Sequence, residues 1–357
     1  MMILVTGGAG FIGSTFVLQW IREEKSPVIN LDKLTYAGNL SNLSSLEKNS
    51  LHTFIHGDIC DRQLVHTLLE TYQPQMIFHC AAESHVDRSI ATPENFITTN
   101  IVGTSVLLEE CLLYWRKLSE PKKSAFRFLY VSTDEVYGSL EENAPPSKED
   151  DCYAPNSPYA ASKASGAHLV RAYNRTYQLP TLTTCGTNTF GPRQFPEKLI
   201  PLALFRALEE KPIPIYGNGL NIRDWIFVEE HCDALRCVLK KGISGECYNI
   251  ATGFEKTNLA VVNAICDLLD TMSPRYSRRP YSELITHIKD RPGHDKRYGL
   301  DTSKIQTQLG WKSNSSFEES LKNSISWYME NGLWVENVLS GAYSDWYKKH
   351  YLDEGLC

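Results

Sequence analysis

Apolar positions in the first half of the chain fall into two regimes, short unbroken runs and longer stretches with helical spacing. Met2-Ile-Leu-Val-Thr6 is a run with β-branched members, which suits a strand buried on both faces. Phe16, Val17, Trp20 and Ile21 then recur at the period of a helix. Val28-Ile-Asn-Leu31, Thr53–His56, Met76–Cys80, Phe126–Ser132 and Pro180–Cys185 predict further strands, with helical segments between most of them. Strand and helix in alternation predict an α/β fold, a doubly wound parallel sheet of the Rossmann type. Leu259–Met272 and Phe317–Tyr328 predict helices covering a smaller C-terminal lobe. Asp224–Leu239 reads as strand and helix returning to the first sheet, so the two lobes interleave. The expected division is 1–180 with about 224–250 for the first lobe, and 181–223 with 251–357 for the second. Ser139–Pro158, rich in Pro, Glu, Asp and Ser, is a loop over the mouth of a site or a surface excursion.

Composition narrows the class without naming a chemistry. A chain of 357 residues supports a large core, and its formal net charge of -6 offers no general attraction to nucleic acid or acidic membranes. The ten cysteines form no CxxC and no zinc-site spacing, so no metal is expected. Cys232 and Cys237 are placed on a buried helix. Scattered thiols suit a reducing compartment. The chain enters its first strand without a leader pattern, and no apolar run is expected to span a bilayer, so a cytoplasmic enzyme is expected.

The first strand runs into Gly7-Gly8-Ala9-Gly10-Phe11-Ile12-Gly13. A glycine-rich turn between strand and helix sets backbone N–H groups and a helix N-terminus against a pyrophosphate. The second strand ends in Asp32, about twenty residues on, where an acid hydrogen-bonds both ribose hydroxyls of NAD and repels the phosphate of NADP. Lys33 blurs this preference slightly. Asp58-Ile59 is expected at the adenine, and small Ala81 and Ala82 let backbone approach the cofactor.

Tyr159 and Lys163 lie one turn apart on a predicted helix that begins at Pro158, so both face the same way. Lys163 is expected to lower the Tyr159 pKa and hold the nicotinamide ribose, while Tyr159 takes the proton of a substrate hydroxyl. Thr133-Asp134-Glu135 is the discriminating element. Two carboxylates at the end of a buried strand are costly without chemistry to perform. Adjacent like charges split their proton affinities, leaving one as acid and the other as base.

From Met2 to about Trp346 the chain resembles the dTDP-glucose 4,6-dehydratases of the extended short-chain dehydrogenase/reductase superfamily. The matching stretches are Asp32–Leu40, Ala81–Ser89, Ser132–Gly138, Phe195–Pro201, Ile222–Trp225 and Asp290–Asp295. Related epimerases carry Ala-Thr at the position of Asp134-Glu135. The resemblance implies that Tyr159 deprotonates the glucose 4-hydroxyl with Thr133 at the reacting centre. Glu135 removes the C5 proton and Asp134 protonates the departing 6-hydroxyl. It further implies that Gly7, Gly10, Phe11, Ile12, Gly13, Asp32, Lys33, Thr35, Asp58, Ile59, Ala81, Ala82, Thr99, Tyr159, Lys163 and Thr189 bind a tightly held NAD. Ser84, Asn188, Lys198, Leu199, Pro214, Ile215, Tyr216, Arg223, Asn258, Asp290 and His294 are implied to hold the nucleoside-diphosphoglucose. In chemical terms Arg223 offers a fork to phosphate, Tyr216 a stacking face, and Lys198 and His294 further donors. A homodimer is implied, packed through Asn100–Arg116 and Tyr159–Tyr177. The chain departs from the pattern at Thr189, where the family usually has Asn, and at Arg193, which replaces a common Tyr and is expected near the diphosphate. dTDP and UDP are not separated by these residues, and a UDP-glucose dehydratase, an epimerase and a silent nucleotide-binding protein are the rival readings.

Overall fold

In the first strand, Ile3–Thr6 (β1), every residue is buried, and neighbouring side chains enter different cores. Ile3 and Val5 join the cluster built on Phe16, Trp20 and Leu235, whereas Leu4 joins that of Leu107, Leu108 and Phe128. This alternation across a sheet covered on both faces explains why the strands read as unbroken apolar runs. The computed structural model describes residues 1–339, so the end of the resemblance near Trp346 and the last part of the expected second lobe lie outside the described residues.

After β1 come Val28–Asp32 (β2), His52–His56 (β3), Met76–His79 (β4), Arg127–Thr133 (β5) and Thr181–Gly186 (β6). Asn188–Phe190 (β7), Ile213–Tyr216 (β8), Ile222–Phe227 (β9), Cys247–Ile250 (β10), Glu255–Thr257 (β11) and Ile285–Ile288 (β12) follow. The main sheet has seven strands in the order β10-β6-β5-β4-β1-β2-β3, and all its pairings are parallel. The smaller lobe holds a three-stranded sheet, β11-β9-β7, and a two-stranded one, β12-β8.

Sheet membership corrects two expected limits. β6, expected to open the second lobe, is a central strand of the main sheet, because its wholly buried TLTTCG run pairs with β5 from Phe128↔Thr181 to Thr133↔Gly186. The strand around Asp224 is β9 of the small sheet, and only the helix Val228–Lys241 and β10 return to the main one. That helix lies beside the helix Phe11–Glu24, where Gln19 Nε2 donates to the Glu229 carbonyl (3.0 Å) and Cys232 Sγ to that of Ile12 (3.5 Å). Phe16 on the Phe11–Glu24 helix stacks on Phe78 of β4, with ring centroids 3.8 Å apart. Burying one such ring is worth roughly 1.5–3 kcal/mol, so this contact fixes the helix, and the turn before it, on the sheet.

The Pro93–Lys117 helical run corrects another expectation, since its 25 residues are long and apolar enough to cross a bilayer by length and composition alone. Half of the apolar window is buried in the fold, with Phe96, Leu107, Leu108 and Cys111 in the core, as in a core helix. Ser139–Pro158 straps across the lobes. Leu140 N–H donates to the Arg297 carbonyl (2.9 Å), Ser147 bridges to Leu300, and Arg297 binds both oxygens of Glu255 (2.7 Å each) and the Ala144 carbonyl (2.7 Å). The carboxyl ends of β1, β2, β4, β5 and β6 meet the small lobe in one cleft, where an α/β sheet of this type binds its ligands.

Candidate active site

The cleft begins at the turn after β1. Gly7 has φ 75°, and a Cβ there would stand 2.6 Å from the Ala81 nitrogen. A Cβ on Gly13 would collide with the Gly7 carbonyl oxygen. Both positions need the bare backbone, and Gly10 caps the Phe11–Glu24 helix with no side chain in the way of its N–H groups. Asp32 receives N–H bonds from Ala9 (2.9 Å) and Leu34 (2.8 Å), while burial pushes its carboxyl above the usual range. Lys33 Nζ lies 2.6 Å from Asp58 Oδ2, so its charge is neutralised by a neighbour and does not oppose Asp32. Thr35, Ile59, Ala81, Ala82 and Thr99 line the same wall. Thr99 sits in a π-helical turn, Ile97–Gly103, of the kind that recurs at functional sites. The next residue, Asn100, uses its amide to accept from the Glu83 N–H (2.9 Å) and donate to the Glu83 carbonyl (3.0 Å) and Ser162 (2.8 Å). This cradle and its acid fit a dinucleotide.

At the other end, β5 passes into a short 3-10 turn, Asp134–Tyr137, capped by Thr133, whose Oγ1 accepts from Glu135 N–H (3.3 Å). The turn drives Asp134 inward to 3 % exposure. Burial, then the charge of Glu135, raises the Asp134 carboxyl to about 7. The hydroxyls of Thr133 and Thr187 pull the other way, although Thr187 is shared with a second acceptor. Thr187 Oγ1 lies 2.9 Å from the Asp224 carbonyl, which can only accept, and 3.1 Å from Asp134 Oδ2. The hydroxyl has one proton, and when it goes to the carbonyl the second contact is satisfied by a proton on Asp134. Glu135 is also raised by burial, but Arg291, Arg223 and Lys198 oppose this and favour its charged form. The two carboxyls thus have different environments, one suited to an acid and one to a base.

Tyr159 and Lys163 share the cleft, on the helix Pro158–Tyr177 whose N-cap Ser157 accepts from Ala160 N–H (3.1 Å). One expectation is corrected here. The Tyr159 phenol is pushed well above its ordinary pKa, first by burial and then by the charge of Glu135, with its hydrogen bond to Thr133 pulling the other way. Lys163 is turned to the back wall, donating to the Val131 carbonyl (2.6 Å) over the Tyr130 ring (4.3 Å), and burial lowers its pKa to about 8.

Of the expected substrate contacts, Ser84, Asn188 and Lys198 line this cleft, and Lys198 Nζ donates to the Ser84 carbonyl (2.8 Å). Leu199 packs on the small-lobe core and Ile215 is buried in it, while Pro214 is partly buried beside it on β8. Tyr216 donates to Asp87 (3.1 Å) and meets His294 edge-on, and His294 in turn pairs with Asp290 (2.6 Å). Asn258 opens the helix Asn258–Met272, its N–H donating to the Asn221 carbonyl (3.0 Å). Arg223 differs from the expected phosphate fork. Its guanidinium is buried over Tyr298 and donates to the carbonyls of Ile222 (2.7 Å) and Asp295 (2.9 Å), acting electrostatically on Asp134 and Glu135. Arg193 is also corrected. It packs over Trp327 (5.5 Å) and does not line the cleft. Thr189 does line it, 2.7 Å from His231 Nδ1.

Sequence reasoning missed Glu197, Thr187 and His231. Glu197 is buried on the cleft wall beside Arg88 (3.5 Å) and His85 (3.7 Å), and burial raises its carboxyl to about 7. Its signal was present, since it lies inside the Phe195–Pro201 stretch next to Lys198. Thr187 and His231 carry no local signal, because only the fold brings them to the site.

A parallel sheet with a glycine turn at β1, an acid ending β2 and a Tyr/Lys pair one turn apart in the cleft defines an extended short-chain dehydrogenase/reductase. The family model described as GDP-mannose 4,6 dehydratase matches residues 4–324. The dTDP-glucose 4,6-dehydratase of Salmonella typhimurium is 52% identical over 359 residues, covering 98% of this chain and 99% of that one. DesIV, the dTDP-glucose 4,6-dehydratase of Streptomyces venezuelae solved with NAD and TYD bound, superposes with a TM-score of 0.85 at 41% identity, covering 95% of this chain and 100% of that one. A UDP-glucose 4-epimerase of Thermotoga maritima shares the fold at a TM-score of 0.80 and 29% identity, covering 92% of this chain and 99% of that one. The chain belongs to the dTDP-glucose 4,6-dehydratase family.

The raised Asp134 pKa has a sign that can be measured. Between the ordinary carboxyl range, about 4, and its folded value of about 7, the native state holds a proton that the unfolded chain has lost. Stability therefore falls as pH rises through that window. Asp134→Asn cannot take up this proton, so the variant's advantage over the native chain should grow by on the order of 4 kcal/mol from pH 4 to pH 8. Parallel stability–pH curves in denaturant titrations would contradict this assignment.

Proposed function

We propose that this enzyme converts dTDP-glucose to dTDP-4-keto-6-deoxyglucose and water with NAD as its resident cofactor. The observation that carries the reading is the split pair at the end of β5, with Asp134 raised to about 7 and Glu135 faced by three cations. Gly7, Gly10 and Gly13 would admit the pyrophosphate, Asp32 the adenosine ribose, and Asp58 with Ile59 the adenine. Bound NAD supplies a hydride acceptor for C4, a hydride donor for C6 and a cationic ring that favours the Tyr159 phenolate.

Tyr159 takes the proton of the 4-hydroxyl, with Thr133 orienting that oxygen. The C5 proton, acidified by the new 4-keto group, passes to Glu135. Asp134 delivers its proton to the 6-oxygen, which leaves as water, and Glu135 returns a proton to C5. An epimerase needs no acid for a leaving hydroxyl, so Asp134 favours dehydration. Each proton transfer contributes roughly 10²–10⁴-fold. Ser84, Asn188 and Lys198 are assigned to the sugar diphosphate, and the small-lobe residues Tyr216, Asn258, Asp290 and His294 to the nucleotide. Arg223 is assigned to the electrostatics of the carboxylates.

The dimer belongs to the same reading. Ile97, Val102, Leu113 and Tyr177 are 51%, 48%, 43% and 42% exposed, and all lie on the Pro93–Lys117 and Pro158–Tyr177 helices. Two copies packed through these helices would cover them. A cytoplasmic location is supported by the cysteines, every one of which is a free thiol among the described residues. Recovery in the membrane fraction of lysed cells would overturn that location.

Incubation with dTDP-glucose should yield a product with the alkaline absorbance of a 4-keto sugar, faster than with UDP-glucose. Glu135→Gln should still oxidise C4, seen as accumulating reduced-nicotinamide absorbance, while solvent deuterium uptake at C5 collapses by at least about 10²-fold. Normal turnover in that variant removes Glu135 as the base. Sedimentation should give a dimer for the native chain and a monomer for Val102→Glu combined with Leu113→Glu, and an unaltered mass in the double variant would refute this interface.

A further inference from the structure

His231 sits near the start of the Val228–Lys241 helix, 2 % exposed, and lines the cleft at the end that holds Thr187, Thr189 and Lys163. Its Nδ1 is engaged by Thr189 Oγ1 at 2.7 Å. Its Nε2 is buried without a hydrogen-bond partner. The backbone beside that nitrogen is Gly186, another cleft residue, where a Cβ would come within 2.6 Å of Nε2. Glycine at the end of β6 thus leaves room for the imidazole edge against the strand. A buried polar atom left unpaired costs about 1–3 kcal/mol, and here the cost falls on a residue that lines the site.

The role of Nε2 follows from proton counting. Thr189 has one hydroxyl proton, and the Thr187 carbonyl 3.3 Å away can only accept it. With the proton directed there, Thr189 accepts from Nδ1–H, and Nε2 presents a lone pair. Burial lowers the ring's pKa to about 4, so no second proton occupies Nε2 at neutral pH. The adenosine end of the cleft is marked by Asp32 and Asp58, so this opposite end, beside Tyr159 and Lys163, takes the reacting ring of the dinucleotide.

We infer that His231 Nε2 accepts a hydrogen bond from the carboxamide N–H of the nicotinamide, with Thr189 holding the imidazole in the accepting tautomer. This rests on the NAD reading above and adds a determinant that distinguishes an amide from other groups at that ring position. It also gives Thr189 a task different from that of an asparagine, since the hydroxyl acts through the histidine.

The test is a competition for the full chain between NAD and its 3-acetylpyridine analogue, whose methyl ketone keeps the carbonyl acceptor but has no N–H. After equimolar incubation and removal of free dinucleotide, the bound ratio is read by mass spectrometry. The native protein should prefer NAD by about tenfold, the worth of one hydrogen bond, and His231→Leu should bring the ratio close to one. An indiscriminate native protein, or a native ratio in His231→Leu, overturns the inference. If His231→Leu fails to fold, Thr189→Val decides: a ratio reduced at least threefold upholds the tautomer argument, and an unchanged ratio ends it. Failure to retain either dinucleotide brings down the NAD reading itself, whereas equal retention of both removes only the His231 contact.

Discussion

Two adjacent carboxylates buried at the end of one strand constrain the rest of this molecule. Their mutual repulsion and lost hydration would be prohibitive without compensation, and the fold supplies it unequally. Asp134 is enclosed, and its burial together with the Glu135 charge favours the neutral acid over the opposing hydrogen bonds of Thr133 and Thr187. Glu135 is left facing Arg291, Arg223 and Lys198 from the other lobe. Both lobes are therefore required to define the protonation of a single dipeptide, which places the reactive centre at their junction and not within either.

Features that depend on local chain geometry were legible in the sequence. The glycine turn needs residues without a Cβ in a fixed order after a buried strand, and Asp32 marks the end of the next strand. Tyr159 and Lys163 share a helix face by their spacing alone. What the residues do once folded was less legible. Lys163 was expected to act on Tyr159, yet the Val131 carbonyl holds its ammonium. Arg193 and Arg223 both looked like phosphate ligands because a guanidinium is a general anion binder. The fold gives one an indole face and the other backbone carbonyls. Lobe limits shifted for a related reason: β6 and β9 are both short, largely buried six-residue strands, and only hydrogen-bond pairing assigns each to its sheet.

Several cleft groups are fixed by contacts that leave their chemistry available. Lys33 is held by Asp58, Asn100 by the Glu83 backbone, and Asp32 by two peptide N–H groups. Such prior ordering reduces the conformational entropy lost when a ligand arrives. It also means that the dinucleotide wall is largely shaped by the protein's own hydrogen bonds.

The setting of Arg223 carries one more consequence. Its guanidinium is anchored by main-chain carbonyls of Asp295 and Lys296, in the segment that the Ser139–Pro158 strap grips through Arg297. One of the three cations that favour a charged Glu135 is thus fastened to the small lobe's backbone, while Glu135 itself is fastened to β5. Sliding one lobe against the other changes the distance between them and with it the strength of the base. Domain position and acid–base chemistry are then a single mechanical variable in this enzyme.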